Sequence, residues 1–261
     1  DTELAEYRSY VTRRANQEPL AYILGTKAFM KHSFKVTPAV LVPRPETELL
    51  VESVAKAAVG AGAENLLDIG TGSGAIIVSL LDLLPQSKGT AVDISAAALV
   101  VAGENAENIG VGERLTLVES DLFSKLDCNK KFDIIVSNPP YFVDSLECPD
   151  RQRTAARHNN SLTYEELLEG VNRLLAADGL FTAVIPTDVV DRVKAIASMN
   201  KLYTIRQLNV ITKPGGIPKR TLIAFSFSNR ECVVEELLTE LARHQYSEEY
   251  IALTREYYLN M

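Results

Sequence analysis

Beyond residue 45 the apolar positions fall into two alternating rhythms. Short apolar runs stand near 65–69, 89–94, 114–119, 132–137, 179–186, 203–211 and 220–228. Their length and continuity read as buried strands. Between them, apolar residues recur at three- and four-residue spacing near 74–84, 95–108, 163–176, 188–199 and 233–243, which predicts helices. Leu49, Leu50, Val54 and Ala58 keep the same spacing and predict a helix from Glu46 to about Ala58. Alternating strands and helices predict an α/β chain with a doubly wound, mostly parallel, seven-stranded sheet. Only Lys213-Pro214-Gly215-Gly216 separates the last two strands. A parallel pair needs a long crossover, so this short link predicts an antiparallel last strand.

The first 48 residues break the rhythm. Residues 1–18 read as a charged helix, and the stretch from Pro19 to Phe34 is mixed, with a turn at Gly25. Pro38, Pro43 and Pro45 then interrupt the backbone ahead of Glu46-Thr47-Glu48. The chain thus divides into an N-terminal helical and proline-rich segment, 1–48, and a main domain with a C-terminal tail, 49–261.

Composition narrows the class. With 261 residues, 46% hydrophobic and 23% charged, the chain is ordinary globular material. No apolar run is long enough to cross a bilayer, and no signal peptide is visible in a sequence whose first residue is Asp1, not Met. Cys128, Cys148 and Cys232 form no CxxC pair, and His32, His158 and His244 are scattered. The expectation is a cytoplasmic protein with no metal and no membrane partner. The net charge of −7 argues against broad nucleic-acid binding but leaves room for a local basic patch.

The candidate chemistry lies where predicted strands end. Phe132-Asp133-Ile134-Ile135-Val136-Ser137 runs into Asn138-Pro139-Pro140-Tyr141. Two prolines lack the N–H a strand needs, so the chain stops at the strand's carboxyl end, where open α/β sheets bind ligands. The Asn138 side-chain oxygen and the Pro139 carbonyl can each accept one N–H of a planar –NH2 group, and Tyr141 can stack on its plane. Read alone, the motif serves equally well as a rigid turn. Upstream, Leu66-Leu67-Asp68-Ile69-Gly70-Thr71-Gly72-Ser73-Gly74 is a strand, a glycine turn and the start of a helix. Asp68 beside that turn would repel a pyrophosphate and suits a cationic amino-acid ligand such as S-adenosylmethionine. Asp93, with Ile94, closes the next strand and can accept ribose hydroxyls. Asp121 follows the third and can accept from an adenine amino group, with Leu122 against the ring. One such Asp is more often a turn or cap; three in succession after a glycine turn are not.

The ordered set Asp68/Gly70/Gly72/Gly74, Asp93, Asp121 and Asn138-Pro139-Pro140-Tyr141 resembles the class I S-adenosylmethionine-dependent methyltransferases. The resemblance implies the Rossmann-like fold of that class, S-adenosylmethionine as cofactor, and a planar nitrogen as acceptor. Two subfamilies share the chain. From residue 17 to about 141 it is similar to the release-factor glutamine methyltransferases, through Glu18-Pro19-Leu20-Ala21-Tyr22-Ile23-Leu24-Gly25, Phe34-Lys35-Val36 and Leu41-Val42-Pro43-Arg44-Pro45-Glu46-Thr47-Glu48. That likeness implies that Arg44 and Glu46 shape the acceptor entrance and that 1–48 is a shortened substrate-recognition domain. From 138 to 261 the chain resembles the valine-tRNA adenine-N6 methyltransferases, through Asn138-Pro-Pro-Tyr-Phe-Val, Glu147-Cys148-Pro149, the cluster Arg151, Arg153, Arg157 and His158, and the tail from Tyr246 to Tyr258. The arginines either meet RNA phosphates or form a solvated face paired with Asp144, Glu147 and Asp150. The tail tyrosines either stack on bases or pack a C-terminal helix. The partner is accordingly a translation release factor or a tRNA. The continuous glutamine-type stretch through the cofactor loop favours the release factor, with the Arg44 and Glu46 entrance mattering more than the arginine cluster.

Overall fold

The computed structural model describes residues 2–139, 163–242 and 245–254. Pro140, Tyr141, Arg151, Arg153, Arg157 and His158 lie outside the described residues, as do Tyr257 and Tyr258.

The N-terminal segment comprises helices α1 (Thr2–Ala15) and α2 (Leu20–Leu24) and a hairpin of β1 (Thr26–Phe29) and β2 (His32–Lys35). Helix α3 (Pro45–Ala61) follows. Pro45 sits in its first turn, where a missing N–H costs nothing, and Gly62 ends it with φ 63°. Then come β3 (Asn65–Ile69), α4 (Ala75–Leu83), β4 (Lys88–Asp93), α5 (Ala96–Ile109), β5 (Leu115–Glu119), β6 (Phe132–Ser137), α6 (Tyr164–Leu174), β7 (Leu175–Pro186), α7 (Val190–Met199), β8 (Tyr203–Ile211) and β9 (Arg220–Ser226). Ser95 caps α5, its hydroxyl accepting from Ala98 N at 3.2 Å. Thr163 and Glu166 form a reciprocal capping box on α6.

The main sheet runs β10-β8-β9-β7-β6-β3-β4-β5. Strands β3 to β7 are parallel, and β9 pairs antiparallel with both β7 and β8, as its short connection from β8 demands. The sheet has eight strands, not the expected seven. The additional one is β10 (Val233–Leu238), parallel to β8, and β11 (Glu240–Ala242) follows it in place of the helix expected over 233–243. Val233/Leu237 and Val234/Leu238 have helical spacing, but in β10 only Leu237 is buried, too narrow an apolar stripe to hold a helix on the domain. The β-branched valines suit a strand, and Glu235 accepts from Arg206 Nε on β8 at 2.6 Å across the pair. β11 pairs with β12 (Gln245–Tyr246), and α8 (Glu248–Thr254) closes the described chain. Tyr250 of α8 is buried, with its ring 5.5 Å from that of Tyr246, so these two tail tyrosines pack on the domain.

Strand periodicity separates two cores. Leu66, Ile134 and Val136 face a cluster built with α3 and α4, whereas Leu67, Ile69 and Ile135 face one built with α6 and α7. Both faces of the sheet are covered, which is why its central strands read as unbroken apolar runs.

Candidate active site

The parallel strands end together along one edge. Ile69 pairs with Val92 and with Ser137, and Asp93 pairs with Glu119. The segments that leave these ends carry Asp68 to Gly74, Asp93 to Ser95, Ser120 to Leu122, and Asn138-Pro139. The structure thus brings the described candidate residues of the four strand ends to one rim.

Asp68 is wholly buried. Its Oδ2 accepts from the Thr71 hydroxyl at 2.7 Å, while Oδ1 makes no hydrogen bond of normal geometry. Burial, opposed by the Thr71 hydroxyl, aided by the charge of Asp93 and opposed by the Ile77 N–H, pushes the Asp68 carboxyl up to about 7. A buried acceptor with no partner is costly unless a ligand supplies the donor. A cation would also draw the proton off this carboxyl.

The glycine turn wraps the space beside it. Gly70 N and Thr71 N donate to Val92 O at 2.8 and 3.0 Å, which locks the turn to β4. Gly70 and Gly72 have φ of 71° and 56°, and a Cβ at either would meet nothing within 4 Å. The turn therefore needs glycine for its backbone and leaves open space for a ligand. Gly74, with φ 78°, instead allows two helices to approach, since a Cβ there would press within 3.1 Å of the Ala102 Cβ on α5.

Asp93 holds this cradle. Its Oδ2 accepts from Gly72 N and its Oδ1 from Ser95 N, both at 2.9 Å. Each oxygen keeps a second lone pair for a ligand. Ile94 beside it is 49% exposed, offering apolar surface at the rim. Asp121 is exposed, and Leu122 adopts φ 49°, a turn conformation unusual for leucine.

The fourth strand end differs. Ser137 Oγ bonds Ile69 O at 2.8 Å, fixing the end of β6 to that of β3. The next residue, Asn138, donates from Nδ2 to the Thr47 hydroxyl at 3.0 Å. Thr47 belongs to the first turn of α3 and is buried. This bond brings the Pro43-Arg44-Pro45-Glu46 segment to the same rim, with Arg44 exposed and Glu46 half-buried. The adjacent Glu48, also buried, accepts Met30 N at 2.8 Å and so ties the β1–β2 turn to α3. Arg44 and Glu46 stand out in the sequence of this segment; Thr47 does not. No local pattern marks a threonine as the partner of an asparagine 91 positions further on.

A separate cleft of about 430 Å³, lined by Phe123, Glu166, Glu169, Gly170, Asn172 and Arg173, contains none of these groups. Among the described residues, no group of three or more His, Cys, Asp or Glu could hold a metal ion, and no helix is long and apolar enough to cross a membrane.

The fold and this rim define an S-adenosylmethionine-dependent methyltransferase, with S-adenosylmethionine as its cofactor. The residues fit that group: an unpartnered buried carboxylate oxygen for its ammonium, and a glycine turn with open space beside it. The chain belongs to the methyltransferase small domain family, whose model matches residues 45–189. It is 58% identical over 201 residues to a tRNA1(Val) (adenine(37)-N6)-methyltransferase of Bacteroides thetaiotaomicron, covering 77% of this chain and 84% of the relative. It is 36% identical over 220 residues to a release factor glutamine methyltransferase of Caulobacter vibrioides, covering 79% of this chain and 75% of the relative. Among solved structures, it resembles in fold a Thermus thermophilus 16S rRNA N2 G1207 methyltransferase in complex with AdoMet and guanosine, with TM-score 0.58, 16% identity, and coverage of 78% of this chain and 50% of that one.

Proposed function

We propose that this chain methylates the N6 nitrogen of an adenine in tRNA. The observation that carries this reading is the 58% identity to the Bacteroides thetaiotaomicron tRNA enzyme over 84% of that protein. A 201-residue stretch of a 261-residue chain must include residues 61–201. The likeness therefore runs through the glycine turn, the Asn138 turn and the arginine cluster. That moves the weight from the glutamine acceptor, which the N-terminal motifs favoured, to adenine.

The chemistry is the same for either acceptor. S-adenosylmethionine supplies a methyl group already activated on a sulfonium. Asp68 takes the ammonium of the cofactor's amino-acid end, Asp93 its ribose, and Asp121 with Leu122 its adenine. Asn138 Oδ1 and the Pro139 carbonyl each accept one hydrogen of the acceptor –NH2, and Tyr141 stacks on its plane. Two acceptors pulling on those hydrogens help free a lone pair delocalised into the ring and offset the positive charge growing on nitrogen. Positioning that nitrogen for transfer would supply several kcal/mol more. As the N–CH3 bond forms the sulfonium–CH3 bond breaks, leaving a neutral thioether, and the methylated cation loses its extra proton to water. Arg151, Arg153 and Arg157 neutralise phosphates beside the flipped base.

A second reading keeps its own support. The glutamine amide of a release factor presents the same planar –NH2. The likeness to the Caulobacter vibrioides enzyme and the link from Asn138 to the Arg44–Glu46 segment both favour it. The test is transfer of labelled methyl groups to bulk tRNA and to purified release factor. The tRNA reading expects label in adenine, with activity falling steeply as salt rises. Replacing Arg151, Arg153 and Arg157 by Gln should then lower the salt slope by roughly three phosphate contacts' worth. Label on release-factor glutamine, with tRNA unlabelled and the arginine variant fully active, overturns it.

A further inference from the structure

We propose that Thr47 is a positioning residue for methyl transfer, its hydroxyl holding the Asn138 amide in place against α3. The inference rests on the reading of Asn138 as the group that faces the acceptor nitrogen, whether that nitrogen belongs to adenine or glutamine. A primary amide has an accepting end and a donating end of nearly equal shape. Only the oxygen can receive an N–H from an amino acceptor; the –NH2 end would oppose donor to donor. In this molecule one N–H of the donating end bonds Thr47 Oγ1 at 3.0 Å, which turns the accepting end away from α3. The accepting end is left for the substrate.

Thr47 is built to hold that bond. Its side chain is almost fully enclosed, and a β-branched residue has few χ1 options in a helix. Its backbone N–H bonds Arg44 O at 3.0 Å, and its neighbour Glu48 anchors the hairpin turn through Met30 N at 2.8 Å. Asn138 itself is half-buried and follows a strand fixed at Ser137. The backbone of both partners is thus set, and the hydroxyl constrains the amide itself. The first turn of α3 then acts on the acceptor from behind Asn138, and the segment before it from the entrance.

The test compares Thr47→Val, which keeps the shape and loses the hydroxyl, with Thr47→Ser, which keeps the hydroxyl. With the acceptor that the wild-type protein methylates, Thr47→Val should lose about 10- to 100-fold in kcat, a fraction of what deleting an oriented catalytic dipole costs. Cofactor affinity and KM should stay near wild type, and Thr47→Ser should restore most of kcat. Near wild-type kcat in Thr47→Val overturns the proposal, as does an equal loss in both variants, which would make any change of packing at this position, and not loss of the hydroxyl, the cause. A readout without substrate keeps the test independent of the acceptor. The Asn138 side-chain amide proton signals, assigned by their loss in Asn138→Ala, should shift and broaden in Thr47→Val and hold in Thr47→Ser. Unchanged signals in Thr47→Val overturn the proposal even if the chain methylates neither tRNA nor release factor, an outcome that would remove the acceptor readings alone.

Discussion

The two halves of the rim are assembled in different ways. On the cofactor side, the partners come from the same turn or from the adjacent strand end: Asp68 meets Thr71, and Asp93 meets Ser95 and, 21 positions earlier, Gly72. On the acceptor side, Asn138 leans on Thr47, 91 positions earlier and on a helix. The first half is a property of consecutive parallel strands and comes with the fold. The second depends on how one segment outside the strand–helix alternation is docked. On the proposed assignment of the two halves, acceptor choice can vary without disturbing the cofactor cradle. This fits relatives named for adenine and for glutamine that both align over most of this chain.

The largest effect that sharpens this contrast is expected at Asn138. Asn138→Ala should lower turnover by about 10²-fold or more, as for loss of an oriented dipole at a developing charge. Cofactor affinity, measured by calorimetry, should barely move. Near-full activity in this variant would reduce the Asn138 turn to a structural stop. Asp93→Ala should do the reverse. Losing a charge-assisted acceptor, together with its hold on Gly72, should weaken cofactor binding by about 1–3 kcal/mol. Unchanged affinity would leave Asp93 as a brace for α5 only.

A third expectation separates the halves by pH. The Asp68 carboxyl is raised to about 7, with burial the largest cause. In the cofactor-free protein this contributes stability that is present below the usual carboxylate value and lost as pH rises through about 7. Binding an ammonium requires the ionised form. Cofactor affinity should fall by about tenfold per pH unit below that point, with a proton released on binding. Calorimetry in buffers of different ionisation enthalpy measures that proton. Asp68→Asn should bind more weakly and with a flat profile; a flat profile in the wild-type protein would mean that Asp68 is already charged.

Much of the fold is legible in the chain because both faces of the sheet are covered. Strands β3 and β6 begin and end where their apolar runs do. The antiparallel placement of β9 follows from the length of one link. The misreading at 233–243 comes where that logic weakens. An edge strand with a single buried side chain carries no alternation to read, and Val-Val-Glu-Glu-Leu-Leu mimics a helix face. The site is legible where one carboxylate follows one strand. Its hidden part is the use made of each group. Asp93 reads as a ligand for ribose, yet both its oxygens already brace backbone N–H groups. Thr47 stands inside a recognisable motif without a visible purpose, because its partner is set by tertiary docking.

The order of the sheet carries a further consequence, for synthesis. β9 is made after β8 but lies between β7 and β8. When β8 leaves the ribosome it has no neighbour to pair with, and the free side of β7 stands open as a row of unpaired amides and carbonyls. That edge is a template for other chains until Ser226 has emerged. Released chains truncated between Ile211 and Arg220 should sediment as aggregates or be held by chaperones, whereas released chains extending past Ser226 should stay dispersed. Equal solubility across that boundary, measured on a series of released truncated chains, would mean that the gap is filled in some other way.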